Sequence, residues 1–221
     1  MIQICESDGG LDVPAVGNSA VILSGRDVAA AAGGVLEAGI ARRSFQTAIH
    51  EASHATVSRL LGLPVSGATI EFFDGHFGAT WADDAGLLAG GETVENICRQ
   101  LAPLLSDTGS RADIAVELQR AHHHVLELLA GREGERLFSG TMLPNTEHDL
   151  EEAAAIAGLI CRSPASIAAY LEFCRTEVAA LLADHRAVVL AIADGLIRHR
   201  TLNGEQITTI ANAQHNEIER E

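Results

Sequence analysis

Residues 44–61 read SFQTAIHEASHATVSRLL, and this stretch decides how the rest of the chain is interpreted. Its apolar residues recur at helical spacing, and they are Phe45, Ile49, Ala52, Val57, Leu60 and Leu61. Gly62 and Pro64 follow directly and predict the end of the helix. The sequence therefore predicts one α-helix that carries His50, Glu51 and His54.

These three residues form the pattern His-Glu-x-x-His. Side chains four residues apart lie on one face of a helix, with Cβ atoms about 5–6 Å apart, so two imidazoles can reach one zinc ion at about 2.0–2.1 Å each. Glu51 lies beside them, where its carboxylate can take a proton from a water molecule on the metal. The pattern predicts His50 and His54 as zinc ligands and Glu51 as a catalytic base. The alternative is an amphipathic helix with two ordinary histidines.

A catalytic zinc ion usually has three protein ligands, and no third histidine follows His54 at short spacing. Asp149, near the start of a predicted helix, is the best candidate for the third. Thr146 and Asp149 also resemble a capping box, in which an acidic side chain stabilises the first helical turn. From spacing alone, both interpretations of Asp149 stay open. Glu135 and His148 are the other candidates by residue type.

Around this helix, the pattern indicates a mainly α-helical protein with a small β-sheet, in the α+β class. Strands are predicted over 68–73 and 77–81. Helices are predicted over 92–105, 110–138 and 146–161. After a break at Ser163 and Pro164, further helices are predicted as far as His185, from there to His199, and from Asn203 onward. Residues 1–40 form an N-terminal segment whose role is open, as an arm, a small subdomain or an interface element. Residues 41–221 form the helical domain.

Composition restricts the class of partner and of chemistry. The 221 residues include 30 acidic and 15 basic ones, which gives a formal charge of −15. A chain this acidic is repelled by phosphate backbones and anionic lipids, so neither nucleic acid nor a membrane is an expected partner. All 15 basic residues are arginine, which excludes a P-loop lysine and a Schiff-base lysine. With no Cys-x-x-Cys pair, secretory signal or membrane-length apolar stretch, we expect free thiols and a cytoplasmic location.

Three separated segments resemble the peptidase domain of the FtsH-type ATP-dependent zinc proteases. They are TAIHEASHA (47–55), LAGREGE (129–135) and HDLEEA (148–153). The resemblance extends from residue 43 to residue 212 and implies that residues 41–221 form a helical zinc-peptidase domain. It implies that His50, His54 and Asp149 hold Zn²⁺ and that Glu51 is the base. Glu135 and His148 are expected beside these ligands rather than among them.

The chain departs from this family at three positions and in its size. Ser53 replaces a glycine, His148 replaces an asparagine, and Arg136 replaces an acidic residue. The 221 residues contain neither the ATPase module nor the membrane anchor, so peptides or unfolded proteins are the expected substrates. The relationship to ring-forming proteases is consistent with a homo-oligomer, but the ring-forming module is the absent part.

The expected function is that of a zinc-dependent metalloendopeptidase, which hydrolyses peptide bonds in peptides or unfolded proteins with zinc-bound water activated by Glu51. We expect the strand over 69–73 to pair with an extended substrate by strand addition. The alternative function is that of a catalytically inactive helical binding module that keeps the peptidase scaffold. A metallohydrolase that acts on small molecules fits the same ligands.

Overall fold

A computed structural model of the chain describes residues 25–73, 76–82, 99, 111–140, 142–143 and 147–218. The chain divides into two units, Met1–Ala38 and Gly39–Glu221. Apart from Arg99, the helix predicted over 92–105 lies outside the described residues, and so does most of the N-terminal segment.

Helices make up most of the described residues. They are α1 (Gly25–Leu60), α2 (Arg111–Gly134), α3 (Glu147–Ile160), α4 (Pro164–Asp184), α5 (Arg186–His199) and α6 (Gly204–Ile218), with a π-helix over Glu135–Ser139 directly after α2. The predicted fold class, mainly helical with a small sheet, is confirmed. A capping box marks the start of α6. Asn203 Oδ1 accepts from the backbone N–H of Gln206 at 2.8 Å, and Gln206 Oε1 accepts from that of Asn203 at 2.9 Å.

The described strands form one antiparallel sheet in the order β2-β1-β3. They are β1 (Gly67–Phe73), β2 (His76–Trp81) and β3 (Thr201–Asn203). Strand β1 pairs with β2 along its length and with β3 over Gly67–Thr69. The expectation that β1 pairs with a substrate over 69–73 stays a prediction, because the described pairing with β3 covers β1 only over Gly67–Thr69. Strand β3 was not predicted, because three residues are too few for an alternating pattern to be recognised.

Helix α1 runs through the core of the domain. Every side chain from Thr47 to Ser58 is buried, so this part of α1 is surrounded on all sides rather than amphipathic. On either side of this buried stretch, Phe45 and Leu60 are 37% and 41% exposed. The residues of the His-Glu-x-x-His pattern thus lie within the packed interior. Among the described helices, none combines the length and apolar character needed to cross a bilayer.

Candidate metal centre

His50 and His54 lie one turn apart on α1, with their Nε2 atoms 3.0 Å from each other. The Nδ1 atom of His50 lies 2.5 Å from Oε1 of Glu135, and that of His54 lies 2.8 Å from the backbone oxygen of Glu127. Because a carbonyl or carboxylate oxygen accepts, both Nδ1 atoms carry hydrogen and donate. In the neutral imidazoles, Nε2 is then the unprotonated nitrogen, which is the form that binds a metal.

Asp149, in the first turn of α3, completes a triangle with these two nitrogens. Its Oδ2 atom lies 3.2 Å from Nε2 of His50 and 3.6 Å from Nε2 of His54. Ligand atoms about 2.0–2.1 Å from a tetrahedral ion lie about 3.3 Å from one another, so the three separations suit a single ion. His50, His54 and Asp149 can therefore hold a metal ion. In the described part of the chain, no other group of three such side chains comes this close together.

Helix α2 leaves room for an ion because Gly131 has no side chain. A Cβ atom at this position would lie 2.4 Å from Nε2 of His50 and 2.4 Å from Nε2 of His54. These distances are close to metal–nitrogen bond lengths, so a Cβ atom would compete with an ion for the same space. The donor set and the space beside Gly131 both fit a metal.

The charges around the centre favour a cation at its middle. Burial acts to lower the pKa of His50, but hydrogen bonds with Asp149 and Glu135 outweigh it and raise the pKa to about 9. The pKa of His54 is raised in the same way, against burial, by Asp149 and Glu127. Burial acts to raise the pKa of Asp149, but its contacts with His50 and His54 hold it well below the usual range. The two imidazoles and the carboxylate can be held together either by protons on the imidazoles or by a metal cation between the three side chains.

Glu51 lies beside the ligands, and strand β2 holds its carboxylate. The Thr80 hydroxyl donates to Oε2 of Glu51 at 2.8 Å. On the other side, a Cβ atom at Gly78 would lie 2.4 Å from Oε1, so the strand approaches closely only because residue 78 is glycine, at φ +85°. Burial raises the pKa of Glu51, and His50, His54 and Thr80 act against this rise. Glu51 is thus a buried carboxylate in a fixed orientation, and its pKa is raised.

Glu135 connects the centre to the loop that precedes α3. It is fully buried at the start of the π-helix, and its two oxygens have different partners. Oε1 accepts from His50 Nδ1, while Oε2 accepts from the backbone N–H of Leu143. Glu135 therefore orients His50 and anchors the segment that leads to Asp149. A single-turn π-helix is a local deviation often found at functional sites.

His148 does not join this group. Its side chain is 69% exposed, and its Nε2 lies 3.3 Å from a carboxylate oxygen of Glu152 on the same helix. Thr146, the partner of Asp149 in the predicted capping box, lies outside the described residues. The described contacts of Asp149 are those with His50 and His54.

Sequence reasoning missed three contributors to the site. Thr80 holds Glu51, Gly131 leaves room for an ion, and Glu127 orients His54 through its backbone oxygen. Gly131 gave a readable signal, since a glycine within a helix often marks a close approach. The carboxylate of Glu127 also contributes, since its Oε1 lies 3.3 Å from His54 Nδ1, and no local pattern encodes a contact between residues 73 positions apart. Comparison with protein-family models and with curated proteins finds no match to this chain.

Proposed function

We propose that this protein is a metal-dependent hydrolase, and specifically a zinc metallopeptidase that cleaves peptides or unfolded proteins. The observation that carries the proposal is the convergence of His50 Nε2, His54 Nε2 and Asp149 Oδ2 within 3.6 Å of one another. The buried carboxylate of Glu51 lies beside this point.

His50, His54 and Asp149 would hold the ion. Two imidazoles and one carboxylate are a ligand set typical of catalytic zinc, and three protein ligands leave a fourth position free. When bound, zinc supplies a Lewis acid that polarises a carbonyl group and acidifies water. Glu135 and Glu127 keep both rings in the orientation and tautomer that present Nε2.

Glu51 would act as the general base. Thr80 fixes one of its oxygens, so the other is the one available to accept a proton. Because burial raises the pKa of Glu51, its carboxylate is a stronger base than an exposed one. The raised pKa also lets the same group return the proton to a leaving amine.

Peptide substrates are supported by the order of the three segments that resemble the FtsH-type peptidases. The formal charge of −15 disfavours phosphate-rich polymers. A small-molecule hydrolase would use the same residues, so a substrate panel must include both classes. The inactive binding module would keep the ligands without turnover.

The test combines zinc stoichiometry with cleavage of unfolded casein and a panel of small esters and amides, with and without a chelator. We expect about one zinc per chain and chelator-sensitive casein cleavage. Glu51→Gln should keep the metal and lose roughly 10²-fold or more in kcat, because an amide cannot accept the proton. Glu205→Gln, which changes an exposed carboxylate on α6, is the matched control.

The possible outcomes separate the candidate functions. Bound metal without cleavage of any substrate would favour the binding module. Cleavage of the small substrates alone would favour a small-molecule hydrolase. Full activity in Glu51→Gln would remove Glu51 from the mechanism.

A further inference from the structure

A second candidate site lies on the opposite face of α1 from the metal centre. At about 100° per residue, Arg59 projects roughly 140–180° away from His50 and His54 around the helix. Arg59 lines an open groove of about 200 Å³ together with Thr56, Leu60, His185, Val188, Ala211 and Asn212. These residues come from the end of α1, the start of α5 and its preceding residue, and α6.

Arg59 brings positive charge to this groove without an acidic partner. Its half-buried guanidinium donates from Nη1 to the hydroxyl of Thr208 at 2.7 Å. Among the described residues, no carboxylate oxygen lies within 4.0 Å of it. By contrast, Arg136, Arg175 and Arg198 each contact a carboxylate. A guanidinium has five N–H donors and pairs best with a planar carboxylate, so Arg59 keeps donors available for an anion.

The other walls of the groove can contact an apolar group of a ligand and accept a hydrogen bond from an N–H group of that ligand. Leu60, Val188 and Ala211 supply apolar surface. The Nδ1 atom of His185 donates to the backbone oxygen of Leu181 at 2.9 Å, which leaves Nε2 as an acceptor in the neutral ring. The side-chain oxygen of Asn212 is a second acceptor. The volume is below the roughly 300–1,000 Å³ typical of drug-sized ligand sites, so the groove holds a group of about one residue.

We propose that this groove binds a carboxylate attached to a small aliphatic group, as in the C-terminal residue of a peptide. The carboxylate pairs with Arg59, the aliphatic side chain packs against Leu60 and Val188, and the peptide N–H donates to His185 or Asn212. Apolar walls disfavour inorganic phosphate, which would leave them uncovered. The inference does not rest on hydrolysis at the metal centre.

The experiment is a titration of the full chain, labelled with ¹⁵N, against four probes followed by backbone amide shifts. The probes are N-acetyl-L-leucine, its carboxamide, isovalerate and inorganic phosphate. We expect saturable shifts for N-acetyl-L-leucine at residues 185, 208, 211 and 212. The carboxamide should bind about tenfold more weakly or worse, because it lacks the charge that Arg59 recognises.

Two variants check the contribution of Arg59. Arg59→Gln should weaken N-acetyl-L-leucine binding by about tenfold or more. Arg198→Gln, which removes an exposed arginine of α5 outside the groove, should leave it unchanged. If Arg59→Gln does not fold, the wild-type comparison of acid and carboxamide still decides the question.

The results with the other probes and with Arg59→Gln either support or contradict the proposed carboxylate site. Isovalerate that binds as tightly as N-acetyl-L-leucine supports the site with free short carboxylates as ligands, whereas weaker isovalerate binding supports peptide C-termini. The proposal is overturned if N-acetyl-L-leucine causes no saturable shifts or shifts only around the metal centre. Equal affinity for the carboxamide, tighter binding of phosphate, or an unchanged affinity in Arg59→Gln would also overturn it.

Discussion

At His50 and His54, the hydrogen bond that Nδ1 donates determines whether Nε2, which faces the centre, carries a hydrogen or can accept one. Glu135 and the backbone of Glu127 each accept a hydrogen bond from Nδ1 and so fix the tautomer. Both Nε2 atoms then face Asp149 as acceptors, and an acceptor cannot satisfy another acceptor. At the scale of single residues, the need for a positive charge follows from these hydrogen bonds.

Removal of the Asp149 carboxylate should remove the metal. In Asp149→Ala, only two imidazole ligands remain. Loss of a residue that merely orients a ligand lowers metal affinity by about 10–100-fold, so we expect the loss of a ligand to lower zinc affinity by more than about 100-fold. Glu147→Ala is the matched control, because it removes an exposed carboxylate from the same helical turn. The measurement is zinc stoichiometry after dialysis. A full equivalent of zinc in Asp149→Ala would mean that Asp149 is only a helix-terminal acid, with a stability effect of about 0.5–2 kcal/mol.

The residues of the site differ in how far the sequence could reveal them. The spacing of His50, Glu51 and His54 is local, so a helix prediction alone places them together. Asp149 was found by residue type, but its position in a first helical turn fits a cap equally well, and only tertiary packing separates the two. Thr80 approaches Glu51 from a strand, and no local pattern encodes that contact.

At the scale of elements, the close approach of α1 and α2 positions the centre. A Cβ atom at Gly134 would lie 1.9 Å from the hydroxyl oxygen of Ser53, so these two helices touch where one of them has no side chain. Gly134 provides the space that the side chain of Ser53 needs. Gly131, one turn earlier in α2, provides the space for an ion.

Gly131→Ala should abolish metal binding, although the substitution removes none of the three ligand side chains. The new Cβ atom would lie 2.4 Å from both Nε2 atoms, so either the ion or the imidazoles must move. Gly158→Ala in α3 is the matched control, since its Cβ atom would meet its nearest neighbour only at 4.0 Å. The control should keep the metal and gain about 0.5–1 kcal/mol in the free energy of unfolding, from better helix propensity. Zinc stoichiometry and urea unfolding measure both effects, and undiminished zinc in Gly131→Ala would contradict this geometry.

The helices and the strands β1 and β2 were easier to predict than β3 and the π-helix. The starts of α4 and α6 are marked by Ser163, Pro164 and Asn203, whose side chains cap or initiate a helix locally. Strand β3 exists because Thr201–Asn203 pairs with β1, a contact between distant parts of the chain. The π-helix begins at Glu135, where the carboxylate has partners in α1 and in the loop before α3. Both features depend on tertiary contacts that periodicity does not record.

For the whole molecule, the centre ties together three helices and a strand. Its ligands belong to α1 and α3, while α2 and β2 supply the space and the contact to Glu51. An unfolded chain disperses these groups, so an ion held by this centre would bind the folded state preferentially and stabilise it.

Zinc should therefore raise the melting temperature. At a free concentration 100 times the Kd, binding contributes about 2.7 kcal/mol, which corresponds to a rise of about 5–10 °C for a domain of this size. Thermal unfolding of the wild type with zinc and with a chelator measures this shift. Asp149→Ala should lose most of the shift. A shift of equal size in that variant would show that zinc stabilises the protein from another site.

The distance along the chain between the partners of this centre has a consequence for biosynthesis. Glu135 follows His50 by 85 residues, and Glu127 follows His54 by 73. While the polypeptide is being synthesised, the two histidines emerge long before the residues that orient them and before Asp149. A metal ion would therefore find its three ligands only after Asp149 has been synthesised, unlike in small zinc modules whose ligands lie close together in sequence. If the centre holds an ion, we expect metal loading to come late in the maturation of this protein, once α1, α2 and α3 have been synthesised and have brought the three ligands together.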